Sequence, residues 1–152
     1  MPDEPRTLAL LLTLLIALLA MPACETGGGT HDTGDPVRLE GTWTLSELNG
    51  AKVADRVQQG GKVPTFSFDG NGKVAGTSGV NRYATNADMA ALVRGQLDLS
   101  PIVSTRMAGP PDAMKLEVDF INALSEADSY RFADNALELR KGSETTMRFV
   151  KE

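Results

Sequence analysis

Alternation of apolar and polar residues with a period of two is the feature that most restricts how this chain can fold. From Val37 onward, short runs of this kind recur between turn residues. They are Thr42-Trp43-Thr44-Leu45, Thr65-Phe66-Ser67-Phe68, Lys73-Val74-Ala75-Gly76, Gln96-Leu97-Asp98-Leu99, Tyr130-Arg131-Phe132, Leu137-Glu138-Leu139 and Met147-Arg148-Phe149. Successive side chains of a strand point to opposite faces, so each run buries one face and leaves the other wet. The punctuation is that of hairpins: Asn49-Gly50, Asp69-Gly70-Asn71-Gly72, Asp134-Asn135 and Gly142, residues that tolerate the positive φ of tight turns. The pattern predicts about seven or eight strands, mostly antiparallel.

One segment has a different period. Pro110-Pro111-Asp112 reads as a helix entry, with proline tolerated in the first turn and the aspartate complementing the helix dipole. Met114, Val118 and Ile121 follow at i, i+4 and i+7, and Leu116, Phe120 and Leu124 widen the apolar stripe. Lys115, Asp119, Asn122 and Glu126 take the other side. This predicts a single amphipathic helix over about 111–125. The fold class is therefore α+β: a curved, mostly antiparallel sheet or partial barrel with one packed helix. Trp43, Phe66, Phe68, Phe120, Phe132 and Phe149 are the expected large core residues.

The first residues of the 152-residue chain carry an address instead of a fold. Leu8 to Ala20 is apolar apart from Thr13, too short for a spanning helix of about 20 residues. Its position and its ending in Met21-Pro22-Ala23-Cys24 give residues 1–23 the layout of a lipoprotein signal peptide. Cys24 is the only cysteine. A lone exported thiol has no intrachain partner, and lipid attachment at Cys24 would give it a use. Glu25 at the next position favours the outer membrane over the inner by analogy with bacterial sorting. Residues 24–37, rich in Gly, Thr and Asp, have too little apolar surface to offset ordering entropy and are expected to form a flexible tether. His31, the only histidine, lies there without companion metal ligands. The folded domain is expected over 38–152.

Charge and motifs narrow the function classes. The formal net charge is −5, and losing Asp3, Glu4 and Arg6 with the signal makes it −4. No cluster of Lys and Arg suits a nucleic-acid backbone, so no nucleic-acid partner is expected. Asp69-Gly70-Asn71-Gly72-Lys73 begins like a calcium loop but has Val80 where the twelfth-position acid belongs. Lys73 is followed by Val74, not by Ser or Thr, so the segment is not a phosphate loop either. Ser78 and Ser104 lack a positioned base, because the one histidine is in the tether. Asp69, Asp88, Asp98 and Glu117 leave paired-carboxylate chemistry open until they are placed in space. The expectation is no enzyme activity, no catalytic residue, no metal and no cofactor.

Three segments together carry a resemblance. Gly41-Thr42-Trp43-Thr44-Leu45 running to Leu48-Asn49-Gly50, then Gly76-Thr77-Ser78-Gly79-Val80-Asn81-Arg82-Tyr83, then Ser104-Thr105-Arg106-Met107-Ala108-Gly109 resemble, in order, the motifs of META domains, the HslJ-like group. The resemblance covers about residues 38–152. It implies a bacterial envelope setting, an association with stress tolerance and no shared catalytic activity. The motif positions Trp43, Gly76, Gly79, Asn81, Tyr83, Thr105 and Met107 are read as structural. Gly76 and Gly79 would serve close approach or positive φ, Asn81 would hydrogen-bond neighbouring backbone in a turn, and Thr105 and Met107 would end a strand before the helix. Relatives carry cysteine where this chain has Val80 and Gly109. If those cysteines pair in relatives, the two positions must meet here too. The resulting expectation is a non-enzymatic, lipid-anchored envelope protein whose partners are the membrane and an unknown envelope protein. The alternative is a carrier or pilot lipoprotein with an apolar ligand or peptide in a half-barrel groove. A dry, enclosed apolar cavity of about 300 Å³ or more would favour the carrier.

Overall fold

The computed structural model describes residues 34–57 and 61–152. The signal peptide, Cys24 and His31 lie outside the described residues.

Nine strands form one antiparallel sheet among the described residues: β1 (Gly41–Leu48), β2 (Ala51–Lys52), β3 (Thr65–Phe68), β4 (Lys73–Thr77), β5 (Arg82–Asn86), β6 (Val103–Ser104), β7 (Ser129–Ala133), β8 (Ala136–Lys141) and β9 (Glu144–Lys151). The order across the sheet is β6-β5-β4-β3-β1-β9-β8-β7, with β2 folded back on β1. β1 therefore lies centrally, between β3 and the C-terminal β9. The sheet is curved and does not close, so the architecture is the expected α+β partial barrel. Six of the seven alternating runs are strands, and β2, β5 and β6 are additional; β2 and β6 have two residues each, too few to show alternation.

Among the described residues, three α-helices accompany the sheet: α1 (Pro36–Leu39), α2 (Met89–Leu92) and α3 (Pro111–Glu126). α3 is the expected amphipathic helix, and Leu116, Phe120 and Leu124 of its expected stripe face inward, but the inward face is centred on them and not on Val118. Ala113, Leu116, Phe120, Ala123 and Leu124 are its buried residues, whereas Val118, in the middle of the expected stripe, is 55% exposed. Apolar residues cover more than half of the helix surface, so the periodicity alone allowed two rotations. Asp35 caps α1 by accepting the Val37 and Arg38 amides, and Leu39 is fully buried. α1 spans the boundary expected between residues 37 and 38.

Gln96-Leu97-Asp98-Leu99 is not a strand. Leu97 is buried as alternation requires, but Gln96 and Leu99 make only single bridges, to Ser129 and Ala87. The segment crosses between two strands without running alongside either. The hairpin at Asp69–Lys73 forms as expected. One Asp69 carboxylate oxygen accepts the Asn71 and Lys73 amides at 2.8 and 3.0 Å.

The core is aromatic. Trp43, Phe66, Phe68, Phe120, Phe132 and Phe149 are all buried. Phe66–Phe149, Phe149–Phe120 and Phe120–Tyr83 rings meet at 5.9, 6.5 and 5.5 Å between centroids, and Trp43–Phe132–Tyr130 form a second run at 5.8 and 6.0 Å. Tilted and edge-on contacts of this kind add to area burial. The Trp43 indole N–H donates to the Leu39 carbonyl at 2.9 Å, which ties α1 to the sheet and satisfies the one polar atom the ring takes inside.

Candidate functional site

The motif residues from the second and third segments converge at one corner, where the turn before β5 meets the loop before α3. Asn81 is at its centre and is 2% exposed. Its Oδ1 accepts the Thr105 hydroxyl and the Met107 amide, both at 2.7 Å. Its Nδ2 donates to the Met107 carbonyl at 3.1 Å and to Glu117 Oε1 at 2.9 Å. All four hydrogen-bonding capacities of the side chain are filled, as a buried amide requires. Its backbone amide and that of Val80 donate to Glu117 Oε2 at 2.8 and 3.2 Å. The Ser78 hydroxyl donates to the Asn81 carbonyl at 3.0 Å.

This corrects one expectation. Asn81 was expected to bond neighbouring backbone in its own turn, but its side chain bonds residues 24, 26 and 36 positions away. The turn is tied to α3 because Glu117 accepts its amides. Glu117 is the group that motif reading missed; its only signal was that it sits on the same helix face as Ala113, one turn on. Of the other carboxylates left open, Asp69 closes a hairpin and Asp88 caps α2 through the Ala91 amide at 2.8 Å, and Asp98 contributes its backbone carbonyl to the Asp88 amide at 2.9 Å.

The glycines follow from contact distances. A Cβ at Gly76 would lie 2.1 Å from the Thr65 carbonyl oxygen. That oxygen accepts the Tyr83 hydroxyl at 2.9 Å, and Gly76 is the cross-strand partner of Tyr83. Gly79 has φ +130° and faces the Ala113 carbonyl of α3. Burial pushes the Tyr83 phenol well above its ordinary range.

Val80 and Gly109 do meet. A Cβ built on Gly109 would stand 3.3 Å from Val80 Cβ and 2.6 and 2.9 Å from its two methyls. With Cα–Cβ bonds of about 1.5 Å, the two Cα atoms cannot be more than about 6.4 Å apart, inside the disulfide range. The valine methyls occupy the space a side chain at 109 would need.

Residues 36–152 match the META domain family model. The chain belongs to the META domain family. Three solved structures are similar to it. One protein solved by NMR shares 21% identity over 77% of this chain and 94% of its own, with a TM-score of 0.58. Another, from Burkholderia xenovorans, shares 22% identity over 88% and 99%, with a TM-score of 0.59. A crystal structure of a duf4847 family protein from Bacteroides vulgatus shares 17% identity over 76% and 95%, with a TM-score of 0.49. The first two support the fold. No curated protein matches the chain.

The outer face of this META domain has two unlike halves. Across β7, β8, β9, β1 and β2 the register aligns Arg131, Glu138, Arg148, Glu47 and Lys52, a row of alternating charge. Glu138 is 4% exposed and is paired with Arg131 at 2.6 Å and Arg148 at 2.7 Å, which compensates its desolvation. Across β1, β3, β4, β5 and β6 the aligned residues are small: Thr42, Ser67, Ala75, Ala84 and Val103. Two open depressions flank Arg82 there. One, of about 320 Å³, is lined by Thr65, Ser67, Ala75, Gly76, Thr77 and Tyr83. The other, of about 270 Å³, is lined by Tyr83, Ala84, Val103, Ser104 and Thr105. Among the described residues, Arg82 and Arg106 have no carboxylate partner, and Val103 and Met107 are 65% and 57% exposed. Also among the described residues, no group of three or more His, Cys, Asp and Glu side chains is placed to hold a metal.

Proposed function

We propose that this META domain is a non-enzymatic interaction module of the bacterial cell envelope, held by lipid on Cys24 and acting through contact with another envelope protein. The observation that carries this reading is the division of labour at the motif corner. Asn81, Glu117, Thr105 and Ser78 use their polar groups on one another and on local backbone, as a scaffold does. The same segments point Arg82, Arg106, Val103 and Met107 outward. A reactive site needs the reverse, with polar groups held ready and unpaired for a substrate. The two runs of aromatic rings packed against one another in the core support contact at the surface over a carrier role for the half-barrel.

The anchor part rests on the apolar run Leu8–Ala20 and the lone Cys24. Lipid on that cysteine would place the domain at the membrane surface, in the outer membrane facing the periplasm. Metabolic labelling with a palmitate analogue tests it. The expected result is label on the wild-type chain and none on Cys24→Ser; label persisting on the variant overturns the anchor. Cross-linking in intact cells followed by envelope fractionation tests the interaction part. A discrete cross-linked envelope protein is expected, and a domain that is monomeric at every cross-linker length refutes it.

A further inference from the structure

The two edges of the open sheet differ. β7 is shielded: the Tyr130 amide donates to the Gly95 carbonyl at 3.1 Å, the Leu97 amide donates to the Asp128 carbonyl at 2.9 Å, and Gln96 bridges Ser129. β6 has no such cover among the described residues, and residues 103–107 are all exposed.

The β6 edge is longer than its two residues. Val103 pairs with Ala84. The Thr105 amide donates to the Arg82 carbonyl at 3.0 Å, and the Arg82 amide donates to the Thr105 hydroxyl at 3.2 Å. Asn81 then continues the ladder with its side chain, taking both the amide and the carbonyl of Met107. Residues 103, 105 and 107 are thus held from the β5 side. Inward and outward backbone pairs alternate in an antiparallel ladder. The amides and carbonyls of Ser104 and Arg106 therefore point away from the sheet, and no described residue bonds them. An ordered edge with free backbone groups is a template for another strand.

We infer that Val103–Met107 is a docking edge that adds an extended acidic peptide segment of a partner protein as a further strand. This rests on the interaction-module reading and names its surface and partner chemistry. Charge complementarity selects the acidic class. Among the described residues, Arg82 and Arg106 flank the edge without carboxylate partners. The depression between Arg82 and Val103 is of side-chain size. Partner backbone groups pair with those of Ser104 and Arg106. Alternate carboxylates then lie on the Arg106 face of the edge, and the alternate apolar side chains lie on the opposite face, against Val103 beside Arg82.

The test uses the isotope-labelled full chain in detergent micelles, titrated with the blocked peptide Val-Glu-Val-Glu-Val-Thr and with the same peptide carrying Lys for Glu. Expected are saturable NMR shifts centred on Ser104 and Arg106, slowed hydrogen exchange at those two amides, and at least tenfold weaker binding of the Lys peptide. Ser104→Pro removes an outward N–H that β5 does not use. It should abolish binding while native Trp43 fluorescence is kept. Arg82→Ala with Arg106→Ala, which changes only exposed side chains, should weaken the acidic peptide at least tenfold and decides the matter if Ser104→Pro does not fold. Shifts elsewhere, undiminished binding by these variants, or equal binding of both peptides overturns the inference. So does concentration-dependent dimerisation lost in Ser104→Pro without peptide binding, which would assign the edge to a second copy. Palmitate labelling and cellular cross-linking are unaffected by these outcomes, so failure of the edge and failure of the envelope reading are separable.

Discussion

Asn81 shows what one side chain can do when every polar atom has a partner. Removing it leaves the Met107 amide and carbonyl, the Thr105 hydroxyl and one Glu117 oxygen without their partner at a partly buried corner. Buried groups left unsatisfied are costly, so Asn81→Ala should destabilise the fold by about 2–4 kcal/mol, read as a lower urea midpoint. Trp43 is the other residue on which much depends, through ring packing with Phe132 and its bond to Leu39. Trp43→Ala should cost about 3–5 kcal/mol. The native protein should show the blue-shifted fluorescence of a buried indole, and a water-like spectrum would contradict the packing. Trp43 was legible because alternation with Thr42 and Thr44 is local. The partners of Asn81 were not, because they are more than twenty positions away and only the fold brings them near.

At the scale of elements, each strand pair and the helix settle questions that pattern leaves open. The helix was legible from Pro111 onward, but its rotation only in part: Leu116, Phe120 and Leu124 were expected inside, and Val118 was too. Glu117 bonded to the Gly79–Asn81 turn and Phe120 packed on Tyr83 set that rotation. The approach of Val80 to Gly109 ties the same turn to the start of α3. Val80→Cys with Gly109→Cys should therefore close a disulfide under oxidising conditions. The bridge should stabilise the fold by roughly 3–4 kcal/mol in the chain-entropy model, measured as the difference between oxidised and reduced urea midpoints. Gly109 does not have a strained positive φ, so the gain is not offset there. Gly109→Cys alone should destabilise instead, by about 1–3 kcal/mol from overpacking against the valine methyls. Gln96–Leu99 illustrates the opposite failure. Its alternation was real, but a strand also needs a neighbour in register.

For the whole molecule, stability should fall at both ends of the pH scale for separable reasons. Partial burial works to raise Asp119, but its bonds to Arg56 and Lys115 and their charges outweigh that and hold its carboxyl below the usual range. A carboxyl depressed in the folded state contributes stability that is present above its unfolded value near 4 and is lost as pH falls through the folded value. Asp119→Asn should flatten the acid limb of a urea-midpoint profile. Tyr83 is raised by burial, so its contribution is intact below about pH 10 and declines above it as the unfolded chain ionises; Tyr83→Phe should remove that decline. The sequence alone determined the α+β class, the hairpin turns, the helix position, the aromatic core and the family, because each is written in local period, turn chemistry or ordered motifs. Only the tertiary structure decided the strand order, the helix face, the Asn81–Glu117 corner, the charged row through Glu138 and the open β6 edge. Those depend on register and on which distant segments become neighbours, and a period of two says which face a residue takes but not what lies beside it.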